Sequence, residues 1–444
     1  MKITVKKGLD LPIKGAVDAS KLNPVDVRAA SVAVVPDDFP GFTPKVDVKP
    51  GDRVAAGAPL MHQKEDARLR LVSPVAGVVT AVERGERRKV LYVQVTPDGS
   101  VPAQAPLATA PYKSAADAID ALAASGLLAL MRTRPYDIVP DPARLPRDIF
   151  VTAFDSAPLA VTAPAADVKF YNAAVAMLSL LTKGKVYVSR RLGQDFPDIE
   201  GAEMVDVAGP HPSGLVGTQI AAVKPVNKGQ VVWTLTADTL YRIGTLALTG
   251  AVDWSTLVAV TGSEVSDPYI ARTVCGVDMA ALLKGHVKET PEHKRIISGN
   301  VLTGVKVGAD GWLRFPYTQV TVIPEGDDVD EFMGWASLSP RRMSVSPTYP
   351  GSWFKKLFNP DARVKGGRRA IIMSGEYDRY MPMDIMAEYL IKAIQSNDID
   401  QMEKLGIYEV APEDFALAEY ADSSKLPLQS IVRHGLDYLR REVE

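Results

Sequence analysis

The chain has 444 residues, of which 46% are hydrophobic and 23% are charged, and its formal net charge is −2 at pH 7. That length suits roughly three or four domains of ~100–150 residues, the charge balance argues against nucleic-acid binding, and no stretch reaches the ~18–20 apolar residues that span a membrane. Cys275 is the only cysteine, which excludes internal disulfides, cysteine-based zinc sites and iron–sulfur clusters held by this chain alone.

Residues 1–105 are predicted to form a β domain, with strand-like stretches at 33–35, 45–48, 78–82 and 90–95. Turns rich in Pro and Gly, Lys49-Pro-Gly-Asp52 and Ser73-Pro-Val-Ala-Gly77, separate them. Their spacing resembles the biotinyl/lipoyl-type β-sandwich. In register with that family, the lysine that carries the cofactor falls at or next to Asp66, which cannot form the amide link. We therefore predict a lipoyl-like scaffold kept for shape and contacts; an ordinary β-sandwich with similar turns is the alternative.

Strands and helices alternate between residues 112 and 265. Ser114 and Asp117 mark the start of a first helix, and further helices are predicted at 168–181 and at 238–248, the latter ended by Gly250. Strands are predicted at 149–154, 185–188, 204–207, 231–235 and 257–260. This alternation predicts an α/β domain built on a Rossmann-like parallel sheet.

The remainder divides into three parts. Residues 266–332 are predicted to form a β-grasp (SLBB-like) unit with a helix near 279–283 and paired strands at 295–299 and 314–322. Residues 333–370 form an irregular connector with aromatic side chains suited to a core or to a partner: Trp335, Tyr349, Trp353, Phe354 and Phe358. Residues 371–444 are helical, with apolar stripes at 386–394 and 428–439 that are more typical of a core than of a partner surface.

Motifs that usually mark an enzyme are missing. No GxGxxG follows a predicted strand and no GxxxxGK[ST] occurs. The glycine-containing segment 209–217 lies before a possible helix, but its prolines remove two backbone donors, so a structural loop is the favoured interpretation. The acidic segment 325–331 lacks the ligand spacing of a calcium loop, and no nucleophile elbow or triad is recognisable.

Over its full length the chain resembles the A-subunit family of the sodium-translocating NADH:quinone oxidoreductase. The matching segments occur in order along the chain: Lys6-Lys-Gly-Leu-Asp-Leu-Pro-Ile13, Ser73-Pro-Val-Ala-Gly-Val-Val79, Arg132-Thr-Arg-Pro135, Phe150-Val-Thr-Ala153, Leu181-Thr-Lys-Gly-Lys-Val-Tyr-Val188, Gly209-Pro-His-Pro-Ser-Gly-Leu-Val-Gly-Thr218, Arg295-Ile-Ile-Ser-Gly-Asn-Val-Leu-Thr-Gly304, Phe332-Met-Gly-Trp-Ala336 and Tyr380-Met-Pro-Met-Asp384. Each is short, and their order and spacing make the resemblance specific.

That family is in turn similar to the C subunit of the Rnf complex and to the flavin-binding subunit of complex I. Where those proteins have a glycine-rich flavin loop, this chain has the bulky residues of 126–135, including Leu127 and Leu128. Where they have an acidic flavin motif, it has Phe154-Asp-Ser-Ala-Pro158. Cysteines are missing before Pro382 and within 409–424. The resemblance therefore implies a C-terminal helical, ferredoxin-like domain that lacks the cysteines of its cluster.

The resemblance implies a peripheral, cofactor-free subunit on the cytoplasmic side of the bacterial inner membrane, in a complex that reduces ubiquinone with NADH and exports Na+. FAD, FMN, riboflavin and iron–sulfur centres are expected in other subunits. The expected partners are the B to F subunits, chiefly the membrane-embedded B subunit, with ubiquinone as a further candidate. No catalytic or metal-binding residue is predicted. Arg132, Arg134, Tyr136 and His211 are candidates for a quinone site or an interface because they lie in matching motifs, although structural roles are favoured for the arginines and for His211.

Two other functions stay open. An electron-input subunit that binds flavin or NADH directly would be coloured when purified or would bind NADH saturably. A non-respiratory adaptor would remain in the soluble fraction, and its loss would leave membrane NADH oxidation unchanged.

Overall fold

The computed structural model describes residues 1–162, 164–327, 342–345, 353 and 356–443. Much of the predicted connector, including Trp335, Tyr349 and Phe354, lies outside the described residues. Of its other aromatic residues, Trp353 is 71% exposed, whereas Phe358 is buried and forms an isolated β-bridge with Ile13. Within the described ranges, no helix combines the length and the apolar character needed to cross a membrane.

The strands are short and occur mainly before residue 325. In chain order they are β1 (Lys2–Thr4), β2 (Val25–Asp26), β3 (Val32–Val34), β4 (Pro44–Val46), β5 (Arg53–Val54), β6 (Pro59–Gln63), β7 (Arg70–Val72), β8 (Gly77–Arg84), β9 (Val90–Pro97), β10 (Arg132–Arg134), β11 (Asp148–Thr152), β12 (Val186–Arg191), β13 (Glu203–Ala208), β14 (Val232–Thr236), β15 (Ser255–Thr261), β16 (Tyr269–Val274), β17 (Lys294–Ser298), β18 (Val305–Val307) and β19 (Gln319–Pro324). They form four sheets in the described part of the chain.

The α-helices follow the same numbering. They are α1 (Ala115–Ala124), α2 (Val168–Ser179), α3 (Val216–Val223), α4 (Ala237–Thr249), α5 (Met279–Leu283), α6 (Ala387–Gln395), α7 (Ile399–Lys404), α8 (Ala416–Ala421) and α9 (Leu428–Val443). Two predicted helix ends are confirmed: the Ser114 hydroxyl accepts from the Asp117 amide at the start of α1, and α4 ends at Gly250 in the left-handed region (φ 73°).

The N-terminal domain contains two small sheets, ordered β3–β9–β8–β5 and β4–β6–β7. Strand β9 alternates buried and exposed positions, with Val93 and Val95 almost fully buried, because one face of its sheet covers the core. Asp66 lies in the β6–β7 hairpin connection, where the Arg68 guanidinium contacts its carboxylate at 2.7 Å. A carboxylate ion-paired to its own neighbour thus occupies the predicted carrier position.

The second domain contains a six-stranded sheet ordered β1–β13–β12–β11–β14–β10. All neighbouring pairs are parallel except β10 with β14. The central strands are mostly buried along their length, and Phe150 and Trp233 are at most 1% exposed, as expected for parallel strands covered on both faces. Strand β1 comes from the first residues of the chain, which we had expected within the N-terminal domain.

A second six-stranded sheet is ordered β18–β17–β19–β15–β16–β2. Strand β15 covers the stretch 257–260, which we predicted to continue the parallel α/β sheet, but it pairs with β16 and β19 instead. Its apolar sequence suits either sheet, and only contacts distant in sequence decide between them. Helix α5 forms at the predicted residues, and β17 pairs antiparallel with β19, as expected.

Helices α6 to α9 form the C-terminal domain, and both predicted apolar stripes are buried in its core. Leu390 in α6 and Leu436 in α9 are fully buried, whereas Met386 at the start of the first stripe is 56% exposed. Tyr136 and Ile138, from the segment after β10, pack into the same core. The C-terminal helices are therefore docked directly on the α/β domain.

Candidate functional site

Two of the candidate arginines lie on β10, directly after a buried turn. The turn 127–130 forms a 3-10 helix that starts after Gly126 in the left-handed region (φ 79°), and Leu127 and Leu128 are fully buried. Side chains of the hydrophobic core therefore fill the turn 127–130, which leaves its backbone no open face for a phosphate group. Strand β10 then pairs with β14 and presents Arg132 and Arg134 at the junction between domains.

Arg134 is the centre of a buried ion cluster between the α/β domain and the C-terminal domain. Its guanidinium is 3.0 Å from the Glu413 carboxylate, 3.3 Å from Asp414 and 3.6 Å from Asp137. The Arg134 side chain is 3% exposed and that of Asp414 1%, while that of Glu413 is 38% exposed. Because buried charges are costly without partners, this cluster is best understood as a joint between two domains.

The protonation of the two acids follows from their surroundings. Burial raises the pKa of Glu413 to about 8, against the opposing attraction of Arg134 and with a further upward contribution from Asp414. Burial also raises the pKa of Asp414, although Arg134 and the Ala411 amide, which donates to its carboxylate at 2.8 Å, act in the opposite direction. One guanidinium thus faces more carboxylates than it can neutralise, and the cluster favours holding a proton.

The first turn of helix α3 packs against the same acid. A Cβ added at Gly217 would lie 2.4 Å from one carboxylate oxygen of Asp414, closer than real side chains allow. That oxygen, Oδ1, is buried and has no hydrogen-bond partner. A carboxylate beside a helix N-terminus is favoured by the helix dipole, so Gly217 permits an approach that any larger residue would block.

Arg132 joins three parts of the chain through carbonyl groups and aromatic rings. Its guanidinium donates to the backbone carbonyls of Asp38 (2.7 Å), Met131 (3.0 Å) and Ala129 (3.2 Å). It also lies over the rings of Phe315 and Phe39, at 5.2 and 5.8 Å from their centroids. Those rings are themselves stacked at 5.1 Å. Cation–π contact and carbonyl bonds together fix Arg132 at a junction of the first three domains.

Tyr136 follows the two arginines and has a left-handed backbone (φ 78°). Its carbonyl accepts a hydrogen bond from the Arg433 guanidinium of α9 at 2.6 Å, and its ring lies in the C-terminal core. It also lines a cavity between the β6–β7 hairpin and the C-terminal helix, together with Phe42, Leu69 and Arg440. Tyr136 is thus the one of the four candidates that combines a buried ring with the wall of that cavity.

His211 lies apart from the arginines, in the loop between β13 and α3. Its Nδ1 is 3.0 Å from the Ser156 hydroxyl, which accepts from the Gly214 amide at 2.8 Å. Its backbone amide donates to Asp10 at 2.9 Å, and its Nε2 is buried without a partner. Burial lowers the pKa of His211, although Asp155 and Asp10 oppose that effect. The neutral imidazole therefore has a structural role, because its residue links the loop to Ser156 and to Asp10.

The structure brings Arg132, Arg134 and Tyr136 together on one segment and places His211 on another, in the loop before α3. The acids that complete the site were missed. Asp414 lies 280 residues from Arg134 in sequence, and Pro412-Glu413-Asp414 has only the local pattern of a helix start. Among the described residues, no group of three or more His, Cys, Asp or Glu is arranged to hold a metal ion.

Comparison with family models gives consistent matches along the chain. The model described as the NqrA N-terminal barrel-sandwich hybrid domain matches residues 3–98. The NqrA second alpha/beta domain matches residues 113–252, and the NQRA C-terminal domain matches residues 257–309. A mixed α/β multidomain architecture, with a barrel-sandwich domain first, is therefore common to the structure and these models.

Comparison with known proteins gives full-length relatives. The A subunit of the Na(+)-translocating NADH-quinone reductase of Serratia proteamaculans is 34% identical over 453 residues, covering 99% of this chain and 100% of that protein. The corresponding protein of Hahella chejuensis is 36% identical with the same coverage. Among solved structures, an NAD+-reducing [NiFe]-hydrogenase aligns over 49% of this chain and 48% of that one, with 13% identity and a TM-score of 0.33, which is too low to support any conclusion.

Proposed function

Since this chain belongs to the NqrA family, the A subunits of the Na(+)-translocating NADH-quinone reductase, we propose that it serves that complex as a cofactor-free peripheral scaffold. The observation that carries this proposal is full-length similarity to those proteins across all of the domains. The partners we propose are the B to F subunits, chiefly the membrane-embedded B subunit, with this chain on the cytoplasmic side of the bacterial inner membrane and no nucleic acid bound.

The residues support a scaffold that carries no electrons itself. A single cysteine cannot supply the thiolates of an iron–sulfur cluster, and buried Leu127 and Leu128 fill the segment where a flavin loop would need glycines. We propose that FAD, FMN, riboflavin and iron–sulfur centres belong to other subunits. We also propose kinship with the flavin-binding subunit of complex I and with the C subunit of the Rnf complex, through lipoyl-like, Rossmann-like, β-grasp and ferredoxin-like domains.

The four candidate residues divide into two groups under this proposal. Arg132, Arg134 and His211 each bond to protein groups, although Nε2 of His211 has no partner. We therefore assign the arginines to the joints between domains and His211 to a loop of the α/β domain. Tyr136 lines a cavity, and contact with ubiquinone stays a prediction for that residue. A quinone pocket needs apolar walls with a few polar groups, and the cavity offers Phe42 and Leu69 beside the acids of the β6–β7 hairpin.

The experiment is purification from gently solubilised membranes of the native host through a tag on this chain. NADH:ubiquinone reduction by the eluate is measured with and without Na+. Sodium-stimulated activity in a multi-subunit eluate supports the proposal. A lone colourless protein, from membranes that do contain the activity, contradicts it and favours the adaptor function, whereas a lone yellow protein that binds NADH favours direct electron input.

A further inference from the structure

A cleft opens where the first three domains meet, at the carboxyl end of β14. Its enclosed volume is about 90 Å³, which is room for several water-sized groups, and the rest of the cleft opens to solvent. Helix α4 begins there, after Thr236, and Arg242 lies one turn into the cleft wall. The order of the parallel strands reverses between β11 and β14, and ligands in such sheets bind outside the carboxyl ends of the strands at that reversal.

Arg242 is a buried cation whose donors are only partly used. The residue is 5% exposed. One terminal nitrogen, Nη2, donates to the carbonyl of Ser255 at 3.1 Å and to Sγ of Cys275 at 3.2 Å, while Nε has no partner. No carboxylate among the described residues forms an ion pair with Arg242. A buried charge without a direct ion pair is costly, so the site favours an anion that contacts the guanidinium itself.

Asp238 and Asp253 attract Arg242 from a distance and raise its pKa against the effect of burial, but neither forms an ion pair with it. Arg314 and Asp38 satisfy each other through an ion pair at 2.6 Å. The carboxylate of Asp253 is taken by the Tyr241 hydroxyl and the Ser255 amide. Asp238 lies in the first turn of α4 and lines the cleft, and its charge attracts Arg242 without a direct ion pair. Its negative charge weakens the attraction for an anion, so removal of that charge should strengthen anion binding, whereas removal of the Arg242 charge should weaken it.

The start of α4 adds further donors. The Thr236 hydroxyl already accepts from the amide of Thr239 at 3.3 Å, so the donors for a ligand are the amides before Thr239, which have no helical carbonyl to bind. A helix N-terminus carries roughly half a positive charge. The remaining walls are largely apolar and include Phe39, Leu130, Trp254 and Phe315.

We propose that this cleft binds a small organic anion, a carboxylate or phosphate ester on an apolar body, through Arg242 and the N-terminus of α4. The apolar walls hold the body and the guanidinium holds the charge. This inference is independent of the scaffold function proposed above, because it depends only on the cleft.

Cys275 provides the measurement, because it lines the cleft and is the only cysteine of the chain. Its thiolate attacks an aromatic disulfide reagent, the S–S bond of the reagent breaks, and a protein mixed disulfide forms. The leaving group is a yellow thiolate from the nitrobenzoate reagent or, after it takes up a proton, an ultraviolet-absorbing thiopyridone from the pyridine reagent. Dithiobis(nitrobenzoate) is an anionic aromatic reagent, whereas 4,4′-dithiodipyridine is neutral. Burial raises the pKa of the Cys275 thiol, so we compare the two reagents at one pH, where the thiolate fraction cancels in their rate ratio.

For the full-length wild type, we expect the rate with the anionic reagent to saturate with concentration and the rate with the neutral one to rise linearly. Benzoate or phenyl phosphate should slow both reactions, and benzyl alcohol should not. Protection by benzoate alone identifies a carboxylate site, and protection by phenyl phosphate alone identifies a phosphate site. Equal rates for the wild type with and without either anion, or equal protection by benzyl alcohol, overturn the proposal.

Variants test the role of charge. In Arg242→Met, the anion concentration that gives half-maximal protection of Cys275 should rise about 10- to 100-fold, the effect of a lost charge-assisted hydrogen bond. In Arg242→Lys the rise should be smaller, because the positive charge is kept. Asp238→Asn should strengthen protection, and Arg68→Met, whose guanidinium lies at the β6–β7 hairpin, should leave it unchanged. If Arg242→Met does not fold, the wild type and Asp238→Asn still decide: weaker protection in Asp238→Asn than in the wild type contradicts the proposal.

Discussion

The ion cluster at Arg134 makes a quantitative prediction about how the C-terminal domain is held. Arg134→Met removes the cation from Asp414 and Glu413, whose carboxylates lie at 3.3 and 3.0 Å from the guanidinium. The loss of one partner from a buried ion pair costs about 3–5 kcal/mol. For a cooperative unit of roughly 150–250 residues, each kcal/mol shifts the melting temperature by about 2–4 °C, so we expect a fall of roughly 6–20 °C.

The assay is differential scanning calorimetry of the wild type and the variant, with limited proteolysis to identify the segment that opens first. The C-terminal helices should become cleavable at a temperature where the N-terminal domain is still protected. Arg68→Met is the matched control, because the Arg68 side chain is 54% exposed and pairs locally with Asp66; an exposed pair contributes about 0–1 kcal/mol.

A double-mutant cycle separates the ion pair from other effects of the substitution. Arg134→Met leaves the Asp414 carboxylate buried without its cation, and Asp414→Asn removes that charge. The double variant should therefore lose clearly less stability than the two single variants lose in sum. A purely additive loss, or a melting temperature for Arg134→Met within the range of the Arg68→Met control, would refute the idea that this cluster joins the domains.

Three further outcomes are expected. Burial raises the pKa of Glu413 to about 8 from an ordinary 4.5, so the stability of the wild type should fall as pH rises between those values. The melting temperature of Glu413→Gln should depend less on pH over the same range. Because the Glu413 side chain is 38% exposed, solvent screens part of this effect. Gly217→Ala should destabilise by about 1–3 kcal/mol in urea titrations, since its Cβ would meet Asp414 at 2.4 Å, whereas Gly99→Ala, which faces open space, should change little. Trp353→Ala should leave the melting temperature of the chain unchanged, because Trp353 is 71% exposed, but should lower the yield of complex recovered through a tag; an unchanged yield counts against its role as a partner contact.

Local elements were predictable from the sequence because their signals are local. The Ser114 cap, the Gly250 helix end and helix α5 appear where the pattern put them. The apolar stripes of α6 and α9 also pack as a core. In each case the physical cause, a side-chain cap or a repeating apolar face, lies within one helix.

Pairings between distant segments were not predictable in the same way. Strand β15 has the apolar composition of a buried strand in either sheet, and its place was decided by β16 and β19. The site shows the same limit: Arg134 was a candidate because of its motif, but nothing near Asp414 indicates a partner 280 residues away. A sequence pattern gives the face that a residue occupies, whereas an ion pair between domains depends on how those faces dock.

The first 26 residues contact three of the domains. Strand β1 completes the α/β sheet beside β13, and the amide of Gly8 donates to the carbonyl of Arg379 in the C-terminal domain at 3.2 Å. The carbonyl of Gly15 accepts from Gly262, and β2 pairs with β16 in the second six-stranded sheet. A chain without this segment would expose the edge of β13 to unwanted pairing and would lose contacts to three domains. The N-terminal segment and the Arg134 cluster therefore support the same conclusion: the scaffold depends on contacts between domains as much as on the core of each domain.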